Sequence, residues 1–347
     1  MEDNYISKRK PSYKITKQLR EYLKKYGRDF EVSISYEDLL RFSGGIEIFD
    51  KNDNDTLWLS VYYNEFEKRE IDNSLKKIYS ILHYDGKDNI YDHLIIDSID
   101  FCTFGNSKPF RIKIRNILNQ NYTYFYVKQA DASRVYGLEL EELLSPNNIN
   151  FIIHKDTLIE EHIIGIPGDI YINEHLDNLS EISKSQIAKE FVKFNERCFI
   201  RLLGDMRSYN YVFILSHDFD RIQYRLRAID FDQQSFEGAI NIYKPQFFKE
   251  NYNLVQMVSK ILKKESIEQY IVEERSSIAK RALSEHERLN SLIACMQNDT
   301  ISLANKTEQL KTDLFKLTKD INFKYAKNMG DVLKSSLDFV IRNYKHI

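Results

Sequence analysis

Asp205, Asn210 and Asp230 are the residues of this chain whose types and spacing best support chemistry. Asp205 closes the apolar run RLLGD. Asn210 follows five residues later. An alternating run, YVFIL, then leads through the charged HDFDR to a second run, YRLRAI, which ends in Asp230-Phe231-Asp232. An aspartate on a loop can orient or deprotonate an attacking hydroxyl. An asparagine nearby, with an aspartate delivered by a β-hairpin, supplies hard oxygen ligands. Magnesium keeps several waters and takes one or two protein carboxylates plus substrate phosphates, so so sparse a set suffices. The plainer reading is that Gly-Asp and Asp-Phe are ordinary hairpin dipeptides.

These residues need a scaffold, and hydrophobic periodicity outlines one. Residues 94–128 read as three antiparallel strands, LIIDSIDFCTF, FRIKIRNIL and YTYFYVKQ. The first turn, Gly105-Asn106-Ser107-Lys108, could present backbone N–H groups to a phosphate or serve as a plain hairpin tip. ASRVYGLELEELL reads as a helix that stops before Ser145-Pro146. NINFIIHKDTLIEEHIIGIPGDIYINEHL gives two further strands, a turn and a helix start. SKSQIAKEFVKFNERCFI is amphipathic, with Ile187, Phe191 and Phe194 on one face and Ser183 as N-cap.

Upstream, ITKQLREYLKKYG is a helix closed by Gly27. FEVSIS, IEIFD and LWLSVYY read as strands, and EIDNSLKKIYSILHY as a helix with Leu75, Ile78, Ile81 and Leu82 on one face. Trp58, the single tryptophan, is expected in the core. Downstream of Gly238 the chain is largely helical, with Leu310, Leu314, Leu317 and Ile321 in register. Packed helices or an intermolecular coiled coil both fit that pattern.

The order Asp-x4-Asn, strand, turn, strand, Asp-Phe resembles the catalytic and metal-binding segments of the protein-kinase-like superfamily. The match is closest to the aminoglycoside and choline phosphotransferase branch, whose pattern is His-Gly-Asp-x4-Asn followed by Ile-Asp-Phe/Trp. Leu203 stands at the His position here, and the last motif reads DFD. The resemblance covers about residues 94–260 and implies an α+β, protein-kinase-like bilobal fold. Its small antiparallel-sheet N-lobe falls at 93–163 and its mainly helical C-lobe, with a helical C-terminal extension, at 164–347. Residues 1–92 are expected as an extra N-terminal α+β segment.

By the same resemblance the cofactors are ATP and Mg²⁺. Asp205 is the catalytic residue, and Asn210 and Asp230 hold the metal. Lys128, at the end of the third strand, binds phosphates, and a helix carboxylate, chosen as Glu142, holds that lysine. Gly105, Asn106 and Ser107 face the nucleotide, and the backbone of Glu161, His162 and Ile163 meets the adenine. For any one of Glu139, Glu141 and Glu142 the alternative is an exposed helix charge. The implied activity is transfer of the γ-phosphoryl group to a hydroxyl of a small molecule. A bacterial HipA-like or spore-coat-type protein kinase and a catalytically silent nucleotide-binding module are the alternatives. No A-P-E triplet or Ser/Thr-rich activation segment follows Gly238, which speaks against a regulated eukaryotic-type protein kinase.

Composition narrows the classes further. Lys+Arg of 50 against Asp+Glu of 52 argues against a dedicated nucleic-acid binder. The three cysteines, Cys102, Cys198 and Cys295, form no metal pattern and suit a reducing compartment. No run of ~18 apolar residues occurs, so a cytoplasmic protein without a membrane partner is expected. The phosphate acceptor and the oligomeric state are not written in the sequence.

Overall fold

The structure, a computed structural model, describes residues 10–84, 92–105, 107–218 and 221–344. It is an α+β chain in two compact units, one of residues 9–131 and 149–162, the other holding 132–148 and 163–347.

The first unit carries α1 (Lys17–Lys25), α2 (Tyr36–Leu39), β1 (Gly44–Phe49), β2 (Asp55–Tyr62) and α3 (Glu65–Tyr84). It continues with β3 (Leu94–Cys102), β4 (Phe110–Asn116), β5 (Tyr122–Gln129), β6 (Phe151–His154) and β7 (Thr157–Glu161). The seven strands form one antiparallel sheet in the order β1-β2-β3-β4-β5-β7-β6. Alternation decides the faces: Phe110, Ile112 and Ile114 of β4 and Phe125 and Val127 of β5 point into a core that Leu75, Ile78 and Leu82 of α3 help to fill. The opposite face is a polar ladder. Arg111 bonds Asp100 at 2.9 Å and Arg115 bonds Asp97 at 2.9 Å.

Three expectations change here. Trp58 is half-buried on the polar face, with the Arg111 guanidinium 4.4 Å from its ring centre. FEVSIS is not a strand. Val32 and Ile34 do alternate inward, but only Asp29 makes a bridge, to Ile153, and without ladder partners the chain turns into α2 at the Ser35–Asp38 capping box. The segment expected as a separate extension shares this unit, because Trp58–Ser60 of β2 pair with Asp100–Cys102 of β3.

The second unit begins with α4 (Ala132–Leu144), which lies between β5 and β6 in the chain. It continues with β8 (Ile166–Pro167), α5 (Gly168–Glu174), α6 (Glu181–Arg201), β9 (Tyr211–Asp218) and β10 (Arg221–Ala228). The helices α7 (Tyr252–Ile261), α8 (Lys264–Ser284), α9 (His286–Gln297), α10 (Ala304–Thr318), α11 (Asn322–Tyr325) and α12 (Met329–Asn343) follow. A small sheet runs β10-β9-β8. Helix α6 buries Ile187, Phe191 and Phe194 as expected, but Ser180 is its N-cap: the Ser180 hydroxyl accepts the Ser183 N–H.

Helix α4 is buried nearly all round, which amphipathic reasoning does not anticipate for a helix with three glutamates. Each of two carboxylates meets an arginine. Glu139 pairs with Arg288 at 2.8 Å, and Glu141 pairs with Arg201 while accepting bonds from Ser145 and Asn147. Glu139 and Glu141 are therefore internal, not exposed helix charges. In α10, Leu310 and Leu314 are buried and Leu317 is exposed; the helix stops at Thr318 with Lys319 in the left-handed conformation, so Ile321 falls outside it and is exposed as well. Among the described residues no helix is long and apolar enough to cross a membrane.

Candidate active site

In the helix-rich unit, the loop after α6 is shaped by backbone contacts. Leu202 takes φ 55°, ψ 43° and caps the helix, its N–H shared between the Cys198 and Phe199 carbonyls. Leu203, at the position where the resembled family has histidine, is buried and bridges to Gln234. Gly204 donates to the Gln233 carbonyl at 3.2 Å, and a Cβ there would stand 2.8 Å from Ile242 Cγ2. Asp205 N–H reaches the Ile242 carbonyl at 3.1 Å. The Gln233–Gln234 segment and Ile242 thus brace the loop.

Asp205 itself has φ 59°, a left-handed conformation that an aspartate adopts at modest cost. Such outliers persist where the surroundings over-determine them. Here Asn210 does so: its side-chain amide donates to the Asp205 carbonyl at 2.7 Å, and its own N–H closes a turn onto the Arg207 carbonyl at 2.9 Å. With Nδ2 committed, Asn210 Oδ1 accepts no hydrogen bond among the described residues. It is the oxygen a cation could take.

The hairpin brings the second aspartate to the same place. In β9–β10 the register sets Ala228 against Tyr211, and the pairing extends one step further, Ile229 N–H donating to the Asn210 carbonyl at 3.0 Å. Asp230 is the next residue. Its Oδ1 accepts from Arg134 at 2.9 Å and from the Asp232 N–H at 3.0 Å, and its side chain is 35% exposed. Asp232 accepts from the same Arg134 nitrogen at 3.0 Å. It therefore joins a charge bridge in addition to closing the turn.

The electrostatics of the loop follow from this crowding. Burial pushes the Asp205 carboxyl up to about 6, the adjacent Arg207 opposes the rise, and the charges of Asp230 and Glu250 add to it. Arg207 donates to Asp205 at 2.8 Å and to Glu250 at 2.8 Å, so it is an internal bridge. Glu250 Oε2 is buried and accepts no hydrogen bond among the described residues.

In the strand-rich unit, Gly105 takes φ 85° at the β3–β4 turn, which only glycine adopts without strain. Ser107 is half-buried beside it, and Asn106 lies outside the described residues. Lys128 is buried on β5 and paired at 2.6 Å with Glu160 of the neighbouring strand β7. Glu142, the carboxylate chosen for that lysine, is a half-buried residue of α4. Glu161 ends β7 and its carboxylate accepts both the backbone and side-chain N–H groups of Asn150 at 3.0 Å. The His162 ring packs beside Tyr124 and Tyr126, with Nδ1 3.2 Å from the Tyr126 hydroxyl. Burial, aided by Arg111, holds its pKa down, as suits a neutral packing residue. Ile163 is buried at the start of the next segment.

The structure thus gathers Asp205, Asn210 and Asp230 in one loop cluster, and gives Lys128 a carboxylate partner within its own sheet. Sequence reading passed over Arg134, Glu160 and Glu250. Arg134 had one signal, its place in a helix with too many apolar residues for a solvated surface. Among the described residues no three His, Cys, Asp or Glu side chains converge as a metal cage. That does not count against magnesium, which relies on waters and substrate phosphates. A part-exposed Asp230 and the unclaimed Asn210 oxygen fit such an ion. No protein-family model matches the chain, and no curated protein matches it.

Proposed function

We propose that this protein is an ATP- and Mg²⁺-dependent phosphotransferase that moves a γ-phosphoryl group to a hydroxyl of a small molecule. The observation that carries the reading is the Asp205 carboxylate, held in a left-handed turn by Asn210, with its pKa raised to about 6 beside Asp230. That value suits a base that is ionised at neutral pH yet able to take a hydroxyl proton. The element order also supports it: a Gly-tipped hairpin, a strand lysine, a helix, two strands, a long helix, then the Asp205 loop and the β9–β10 hairpin.

In this reading Asp205 orients the acceptor hydroxyl and receives its proton as the new O–P bond forms and the bond from the γ-phosphorus to the β–γ bridging oxygen breaks, ADP leaving with that oxygen. Asn210 fixes the loop and, with Asp230, would hold magnesium. Magnesium bound there would supply charge neutralisation on the transferring phosphoryl group. Lys128, paired with Glu160, binds phosphate oxygens. Catalysis is then mostly positioning.

One observation favours a second reading. Arg134 neutralises Asp230 and Asp232 together, and a cation fixed there competes with metal. A silent nucleotide-binding module would carry such a bridge permanently.

Thermal denaturation with ATP, with and without Mg²⁺, tests both. A ligand that binds the native state raises the midpoint. A Mg²⁺-dependent rise, lost in Asp230→Asn, is expected. Equal rises with and without Mg²⁺, unchanged in the variant, favour the silent module. No response to any nucleotide overturns both.

A further inference from the structure

We infer that the helix-rich unit holds a second binding site, for a small molecule with one carboxylate head and an apolar body. The site comprises two adjoining cavities. One, of about 410 Å³, lies among α6, α8, α10, α11 and α12; the other, of about 350 Å³, lies among α6, α7 and α8. Asn195, Glu196, Gln246 and Ile271 line both, so one ligand can extend from the first into the second. Their volumes fall in the range of small-molecule sites.

The head group is argued from charge. Lys244 lines the first cavity, half-buried over the Phe199 ring at 4.8 Å, and its ammonium has no hydrogen-bond acceptor among the described residues. An ammonium carries three donors, and withdrawing them from water without an acceptor is unfavourable. Burial indeed holds its pKa down. Arg275, on the same cavity, uses its Nε hydrogen on Glu196 at 2.6 Å and makes no other hydrogen bond among the described residues. Two cations against one carboxylate leave a positive excess of one charge, and planar guanidinium donors suit a carboxylate.

The body is argued from the second cavity, whose walls include Phe191, Val255, Val258 and Ile267 and no basic residue. Asn195, where the cavities meet, has both side-chain atoms committed, to the Phe191 carbonyl and the Gln246 N–H, so it asks nothing of a ligand. A straight-chain fatty acid has this chemistry: carboxylate at Lys244 and Arg275, hydrocarbon toward α7. The site is built wholly from residues outside the Asp205 cluster and stands whether or not the phosphotransferase reading does.

Isothermal titration of the full chain with decanoate tests it, with decanol as the uncharged probe. Saturable binding of decanoate is expected, at least ten times tighter than any binding of decanol. Lys244→Met should weaken it at least tenfold, and Lys244→Arg should preserve it. Ser259→Phe places a ring at the exposed edge of the second cavity and should also weaken it tenfold. Absence of saturable binding by the wild type overturns the proposal whatever the variants do. Wild-type affinity in folded Lys244→Met or Ser259→Phe, judged by circular dichroism, overturns it equally.

Discussion

Arg134 donates to Asp230 at 2.9 Å from a position only 4% exposed, and the same nitrogen reaches Asp232 at 3.0 Å. One buried guanidinium therefore holds together the two carboxylates of the DFD motif. Removing it should take from the two carboxylates the cation they share. Breaking a buried pair costs about 3–5 kcal/mol; with Asp230 part-exposed, about 2 kcal/mol is expected for Arg134→Met. The loss should be recovered in part by millimolar Mg²⁺, because a cation bound there replaces the charge of Arg134. Denaturant titration with and without Mg²⁺ checks this, and equal Mg²⁺ response in wild type and variant would count against a cation site at Asp230.

If Asp205 is the base of the proposed transfer, activity and stability should respond to pH in opposite senses. As a base it must be ionised, so turnover should rise through about pH 6. Arg207→Met removes the cation that opposes the raised pKa, and should move the rising limb to higher pH. Asp230→Asn removes a like charge and lowers the Asp205 pKa; where any activity survives, the limb should move down. For stability, the folded-state pKa lies above the unfolded value of 3.8, so the native state binds the proton more tightly. The contribution is fully present below pH 4 and is lost as pH rises through about 6, on the order of 2 kcal/mol. Urea midpoints measured from pH 4 to 7 should show this fall in the wild type and not in Asp205→Asn.

Much of this arrangement can be read from the residues alone, and the exceptions have physical causes. The β3–β5 meander is legible because β4 alternates against the core, although β3 shifts register between Ile96 and Ser98, and the β9–β10 hairpin follows from its two β-rich runs. The Asp-x4-Asn spacing suffices to place Asn210 against the Asp205 carbonyl, since five residues of turn bring them together. FEVSIS alternates equally well yet lacks a neighbour, and no local pattern reveals a missing ladder partner. Arg134, Arg201 and Arg288 are charged residues in helices, where the default is solvent exposure. Their partners lie 60 to 149 residues away in the chain for Glu141–Arg201 and Glu139–Arg288, so nothing local marks them as internal.

Lys128 offers a test of the phosphate role that separates it from folding. Its pairing with Glu160 is buried on both sides, with side chains 7% and 8% exposed. Glu160→Gln keeps shape and one acceptor oxygen but removes the negative charge. If Lys128 binds phosphate, ATP affinity should drop at least tenfold in Lys128→Met. In Glu160→Gln it should change little, because ATP itself then supplies the counter-charge. If Lys128 only stabilises the sheet, both variants should lose stability and neither should change affinity in the folded fraction. Nucleotide titration followed by tyrosine or tryptophan fluorescence distinguishes the two.

The Glu141–Arg201 pair predicts the acid limit of the helix-rich unit. Burial alone would raise the Glu141 pKa, but Arg201, Asn147 and Ser145 outweigh it and hold the carboxyl down at about 2. The folded-state value lies below the unfolded 4.5, so this group's stabilisation is present above pH 4.5 and disappears as pH falls through about 2. Glu141→Ala should cost about 3–5 kcal/mol at neutral pH, since it strands a 2%-exposed Arg201 guanidinium without its counter-charge. Replacing both residues, as in Glu141→Leu with Arg201→Met, removes the stranded charge and should restore most of that loss. A double mutant as unstable as Glu141→Ala would show that the network with Ser145 and Asn147, which anchors the end of α4, matters more than the charge pair.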